Sequence, residues 1–94
     1  MLNTLSKKKE NNMPEISRFY GIIIKMYFRE HGVPHFHSIY GEYNGVFEID
    51  NLEMIEGDLP VRAQKLVKEW ASQYQSELSV MWKSQKFKKL PGLE

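Results

Sequence analysis

All three histidines of this 94-residue chain fall in the run His31-Gly32-Val33-Pro34-His35-Phe36-His37. Imidazole titrates near neutral pH and binds transition metals through a neutral ring nitrogen. The cluster therefore has three uses open to it: an acid–base pair, a metal site completed by a carboxylate such as Glu30 or Glu48, or a set of structural hydrogen bonds. His35 and His37 stand two apart in a segment that reads as a strand, so both leave the same face, about 7 Å apart at Cα. His31 lies across a short turn from them. The spacing fixes no third ligand, so no metal site is assigned from sequence and no cofactor is called for. On the preceding strand Lys25, Tyr27 and Arg29 alternate onto one face. Two imidazoles beside cations suit metal-independent RNA cleavage. One ring would take the 2′-hydroxyl proton, the other would protonate the leaving oxygen, and Lys25 or Arg29 would steady the charged phosphorane. The candidate catalytic set is thus His35, His37, Arg29 and Lys25. His31, Tyr27, Tyr40 and Tyr43 are candidate binding residues, Tyr40 and Tyr43 being able to stack on a base. The chain has no Walker loop, G-x-S-x-G, H-E-x-x-H or dinucleotide fingerprint, so ATP hydrolysis and serine-hydrolase chemistry find no support.

The bulk properties frame these options. Ninety-four residues give one core. Without cysteine there is no disulfide framework, iron–sulfur cluster or thiolate zinc site. No apolar run reaches the roughly 18–20 residues that span a bilayer, and an asparagine pair, not an apolar stretch, follows Lys7-Lys8-Lys9. A cytoplasmic protein without membrane contact is expected. The net charge of +1 is uneven: residues 13–82 carry six basic and ten acidic side chains, whereas both ends are lysine-rich. A mildly acidic body is not the footprint of a domain that grips duplex DNA.

The elements that must position the histidines follow in order. Residues 1–12 read as a disordered extension, 13–83 as a single domain and 84–94 as a basic tail. Residues 16–20 form a short extended piece. Residues 22–28, β-branched and aromatic between glycines, form the strongest strand, with Ile22, Ile24, Met26 and Phe28 on the core face. Residues 35–40 form a second strand, and Asn44-Gly45 signals the hairpin turn into a third at 46–49. A fourth, at 52–56, follows Asp50-Asn51. Asp58 serves as N-cap of a helix with Pro60 in its first turn. Ala63, Leu66, Val67, Trp70, Ala71, Tyr74, Leu78, Met81 and Trp82 then make one apolar stripe. The expected fold is α+β: a small antiparallel sheet of three to four strands packed by one long C-terminal helix. At about 1.5 Å per residue that helix would run roughly 36 Å and overhang the sheet. Leu78, Met81 and Trp82 are therefore expected to meet a partner.

From residue 13 to about 82 the chain resembles a bacterial family, the domain of unknown function numbered 4160. Pro14-Glu15-Ile16-Ser17-Arg18-Phe19, Ile24-Lys25-Met26-Tyr27-Phe28 and Pro34-His35-Phe36-His37 carry the resemblance. Tyr40-Gly41, Ile55-Glu56-Gly57, Leu59-Pro60 and Glu69-Trp70-Ala71 extend it. Pro34-His35-Phe36-His37 is its most distinctive piece; Val33 stands where the family has the first of two prolines. The resemblance implies a compact bacterial cytoplasmic protein, often encoded beside another small domain in an arrangement like a toxin–antitoxin pair. It implies no settled activity. The leading expectation is a component of such a module, acting on a small partner protein or as a homo-oligomer, with RNA as a second ligand. The alternatives are a metal-independent histidine ribonuclease and a metal-binding regulator.

Overall fold

Five short runs of the chain become strands because each can bury one face while the other stays more exposed. The computed structural model describes residues 14–94; the extension expected over 1–12 lies outside the described residues. Five strands form one antiparallel meander in sequence order: β1 (Glu15–Phe19), β2 (Ile22–Lys25), β3 (His35–Tyr40), β4 (Tyr43–Glu48) and β5 (Met54–Gly57). Two helices follow, α1 (Val61–Gln73) and α2 (Gln75–Ser84). The fold class is α+β as expected, with a wider sheet. The extended piece before Gly21 is a full strand, because Tyr20 (φ 49°) and Gly21 (φ 80°) take the left-handed backbone and turn β1 back on β2. No helix among the described residues is long and apolar enough to cross a membrane.

Cross-strand pairs share a face, so the register sorts the side chains. Ile22, Ile24, Phe36, Ser38, Gly45 and Phe47 lie on the face that α1 covers. Trp70 on α1 is fully buried there, its ring 5.6 Å from Phe19 and 6.0 Å from Phe36, while Phe36 stacks on Phe47 at 5.4 Å. The opposite face carries the row Glu15, Lys25, His37, Val46 and Glu56, one residue from each strand. At its margin Arg18 donates two hydrogen bonds to Glu15, and that bonding holds the Glu15 carboxyl below its usual value.

Four expectations are corrected. The β3–β4 hairpin turns at Gly41-Glu42, with Tyr40 opposite Tyr43, and not at Asn44-Gly45. Gly41 has φ 59°, which suits a two-residue turn whose first central residue is glycine. Gly45 is needed inside the strand, since a Cβ there would lie 2.9 Å from the Met54 sulfur and 3.3 Å from Leu59. Asp58 does not cap the helix: its Oδ1 accepts from the Asn44 N–H at 3.1 Å, tying down the end of β5, and Pro60 precedes the first helical residue. The single long helix is broken at Tyr74 (φ −123°, ψ 20°). Gln75, just past the break, donates to the Ile49 and Asp50 carbonyls at 2.7 and 2.9 Å. The break bends the apolar stripe around the sheet, so it does not overhang. Leu78 and Met81, expected at a partner interface, are buried in the domain's own core, and Trp82 is half-buried against His35.

The basic tail is also part of the fold. Leu90 is buried and its N–H donates to the Ile16 carbonyl at 2.7 Å; the Pro91 carbonyl accepts from the Trp70 indole at 2.8 Å and from the Ser17 hydroxyl at 3.2 Å. Gly57 gives the sharpest test of this packing. It sits at φ 111°, and an added Cβ would stand 2.3 Å from the Asn44 carbonyl oxygen and 2.7 Å from the Gly45 Cα. Both obstacles are backbone. Gly57→Ala is expected to lower unfolding free energy by at least about 2 kcal/mol, the scale of a strained backbone position. Gly41→Ala, with open space around it, should cost only about 1–2 kcal/mol from left-handed strain. Urea midpoints compare them; equal losses would contradict the packing around Gly57.

Candidate functional site

The strand alternation that sends Phe36 into the core sends His35 and His37 to the other face. Their rings meet edge to face with centroids 5.2 Å apart. β2 stops at Lys25, and residues 26–34 form a loop that returns to β3 over this face. The loop needs left-handed backbone at Arg29 (φ 61°) and Gly32 (φ 96°). It brings back Glu30, whose Oε1 lies 2.9 Å from His35 Nε2 and 2.9 Å from His37 Nε2; its Oε2 lies 3.0 Å from His37 Nε2. Glu30, His35 and His37 thus present donor atoms that all lie within 4.8 Å of one another.

One bond fixes the orientation of the His35 ring. His35 Nδ1 is 2.7 Å from the Val33 carbonyl oxygen, an acceptor only, so that nitrogen carries a proton. In a neutral ring the bare Nε2 would then face a carboxylate oxygen, lone pair toward lone pair. A cation removes the conflict, either a second proton on His35 or a metal ion held between the rings and Glu30. A metal-bound imidazole whose other N–H is anchored on a main-chain carbonyl is the usual outer arrangement of histidine metal sites. Metal–donor bonds of about 2.0–2.2 Å place neighbouring donors roughly 2.9–3.5 Å apart, matching the separations from Glu30 to each ring. The side chain of His35 is 10 % exposed, against 20 % for His37 and 26 % for Glu30, so the cluster is walled on one side and reachable from the other. Trp82 packs on His35 at 4.9 Å, and Tyr27 stacks on His37 at 4.4 Å.

The residues singled out from sequence divide accordingly. His35, His37 and Tyr27 come together, and Lys25 stands opposite His37 in the β2–β3 register. Of the two carboxylates considered, Glu30 joins the cluster, whereas Glu48 pairs with His35 only as its strand neighbour. Arg29 does not alternate with Lys25 and Tyr27, because the strand ends before it; the residue is exposed and its main-chain N–H donates to Gln85 Oε1 at 2.8 Å. His31 is exposed on the loop and outside the cluster. Tyr40 and Tyr43 sit on the other face of the sheet. There Tyr40 lines a cleft of about 650 Å³ with Tyr20, Ile22, Arg62 and Ala63. Sequence reasoning assigned Trp82 to an interface and passed over Gln85. The signal for Glu30 was its place before the breakers Gly32 and Pro34, which fold it back over β3.

The tautomer is open to direct test. Two-bond proton–nitrogen spectra of labelled protein are expected to show His35 carrying its proton on Nδ1 at all pH values where the domain is folded. A neutral His35 protonated on Nε2 alone would contradict the bond to Val33.

No curated protein and no solved structure matches the chain. The family described as Domain of unknown function (DUF4160) matches residues 21–83, which takes in β2 through most of α2 and all three members of the cluster. The chain belongs to that family.

Proposed function

We propose that the domain is a metal-binding module in which Glu30, His35 and His37 hold one divalent first-row transition ion. The observation that supports this reading is the pair of Nε2 atoms aimed at one carboxylate while His35 Nδ1 is committed to the Val33 carbonyl. Two neutral imidazoles and one carboxylate are borderline donors, suited to zinc, iron, cobalt or nickel rather than calcium or magnesium. Three protein donors would leave further coordination positions of such an ion for water or a small ligand. That geometry suits a site that senses an ion or presents it to a small ligand.

A second reading, metal-independent RNA cleavage by the two histidines, draws support from Lys25 beside His37 on the same face. It loses Arg29 from the set and needs an imidazole free of Glu30. The partner-binding reading, as one half of a toxin–antitoxin-like pair, keeps the family resemblance as its support but not the helix surface, since Leu78 and Met81 are interior.

Calorimetric titration of metal-stripped protein with cobalt or zinc should give one site per chain. Glu30→Gln and His37→Ala should each weaken it by more than about 100-fold, beyond the 10–100-fold typical of outer-shell losses. Binding should weaken as pH falls, because protons compete for the imidazoles. Emission from Trp82, beside His35, should quench as cobalt binds. No uptake at micromolar metal would sink the reading. RNA cleavage that persists in chelator and vanishes in His35→Ala and His37→Ala would favour the second one.

A further inference from the structure

The donor set is held from outside by residues far along the chain. Gln85 follows the last residue of α2 and adopts left-handed backbone (φ 61°). Its side chain is used at both ends. Oε1 accepts from the Arg29 N–H at 2.8 Å, and Nε2 donates to the Trp82 carbonyl at 2.8 Å. Arg29 is the residue before Glu30, and the Trp82 ring packs on His35. Two residues along, Phe87 stacks on Phe28 with centroids 4.5 Å apart and planes 14° apart, clamping the same loop from the same segment. One amide therefore links the loop that carries the carboxylate to the helix end that walls one imidazole.

We infer that Gln85 is the positioning residue of the Glu30–His35–His37 cluster, fixing the carboxylate against the two Nε2 atoms although it touches none of the three. Arg29, like Gln85, sits at φ 61°, a conformation that side-chain-bearing residues avoid. The loop holds that turn with the Arg29 N–H satisfied by Gln85. Without the amide, the Arg29 N–H turns to water and Glu30 gains rotational freedom. The inference rests on the metal reading for its consequence in affinity, but not for the geometry itself, which the imidazoles report without metal.

The test uses three variants. Gln85→Gly removes the clamp and suits the left-handed backbone, as glycine does after helix ends. Gln85→Met keeps the volume and removes both hydrogen bonds. Gln85→Glu keeps the acceptor for Arg29. Glycine and methionine variants should leave the thermal midpoint within a few degrees of the parent, weaken cobalt binding by about 10–100-fold, and shift the metal-free imidazole nitrogen signals of His35 and His37. The glutamate variant should keep those signals near the parent positions. Unmoved signals in the folded glycine and methionine variants, with cobalt affinity within about threefold of the parent, would overturn the assignment. A parent that binds no metal would overturn the metal reading alone; the imidazole signals would then still decide the role of Gln85.

Discussion

The indole of Trp70 is the contact on which the rest of this small domain leans. A chain this short buries barely enough apolar surface to fold, and removing one fully buried aromatic typically costs about 3–5 kcal/mol. Trp70 touches Phe19 at one side of the sheet and Phe36 at its centre, and donates its one polar hydrogen to the Pro91 carbonyl. It thus welds the first strand, the central strand and the last residues to one helix. Seating the indole requires a sheet wide enough to cover it and a terminal segment close enough to accept its N–H. Both the first strand, through Phe19, and the packed C-terminal run, through Pro91, answer that requirement.

Because the apolar face is used up by α1, the polar face of the same strands is left for chemistry. Phe36 between the two histidines is what divides them from the core: burying it at the centre of the sheet pins His35 and His37 outward, two residues apart. The cluster still needs its third member and its orientation. The loop supplies Glu30, and the Val33 main chain supplies the acceptor that turns His35 toward it. That acceptor is a main-chain carbonyl oxygen, so it does not depend on the valine side chain.

The break at Tyr74 changes how the last third of the chain is read. One straight helix would carry Leu78 and Met81 past the edge of the sheet, where only another protein could cover them. Bending at Tyr74, with Gln75 bonded to the Ile49 and Asp50 carbonyls, returns both residues to the core and brings Trp82 against His35. The same bend delivers Gln85 and Phe87 to the loop. Residues that read as an interface and a basic tail are thereby spent on building the domain and bracing its site.

Local pattern determined much of this by itself. The apolar run at 22–24, the alternation at 35–40, the stripe beginning at Ala63 and the outward pairing of His35 with His37 all follow from side-chain periodicity, which a sheet and a helix impose whatever their surroundings. Tertiary structure decided what periodicity does not encode. Asn44-Gly45 carries a stronger turn signal than Gly41-Glu42, but Gly45 is claimed by the crowding of Met54, Phe47 and Leu59. The stripe from Ala63 to Trp82 has no glycine or proline to mark a break, because the kink serves a surface the helix meets only after folding. Arg29 looks continuous with Lys25 and Tyr27 until the loop leaves the sheet. The union of Glu30 with the histidines depends on where that loop closes, and closure is a property of the packed chain, not of the spacing of its letters.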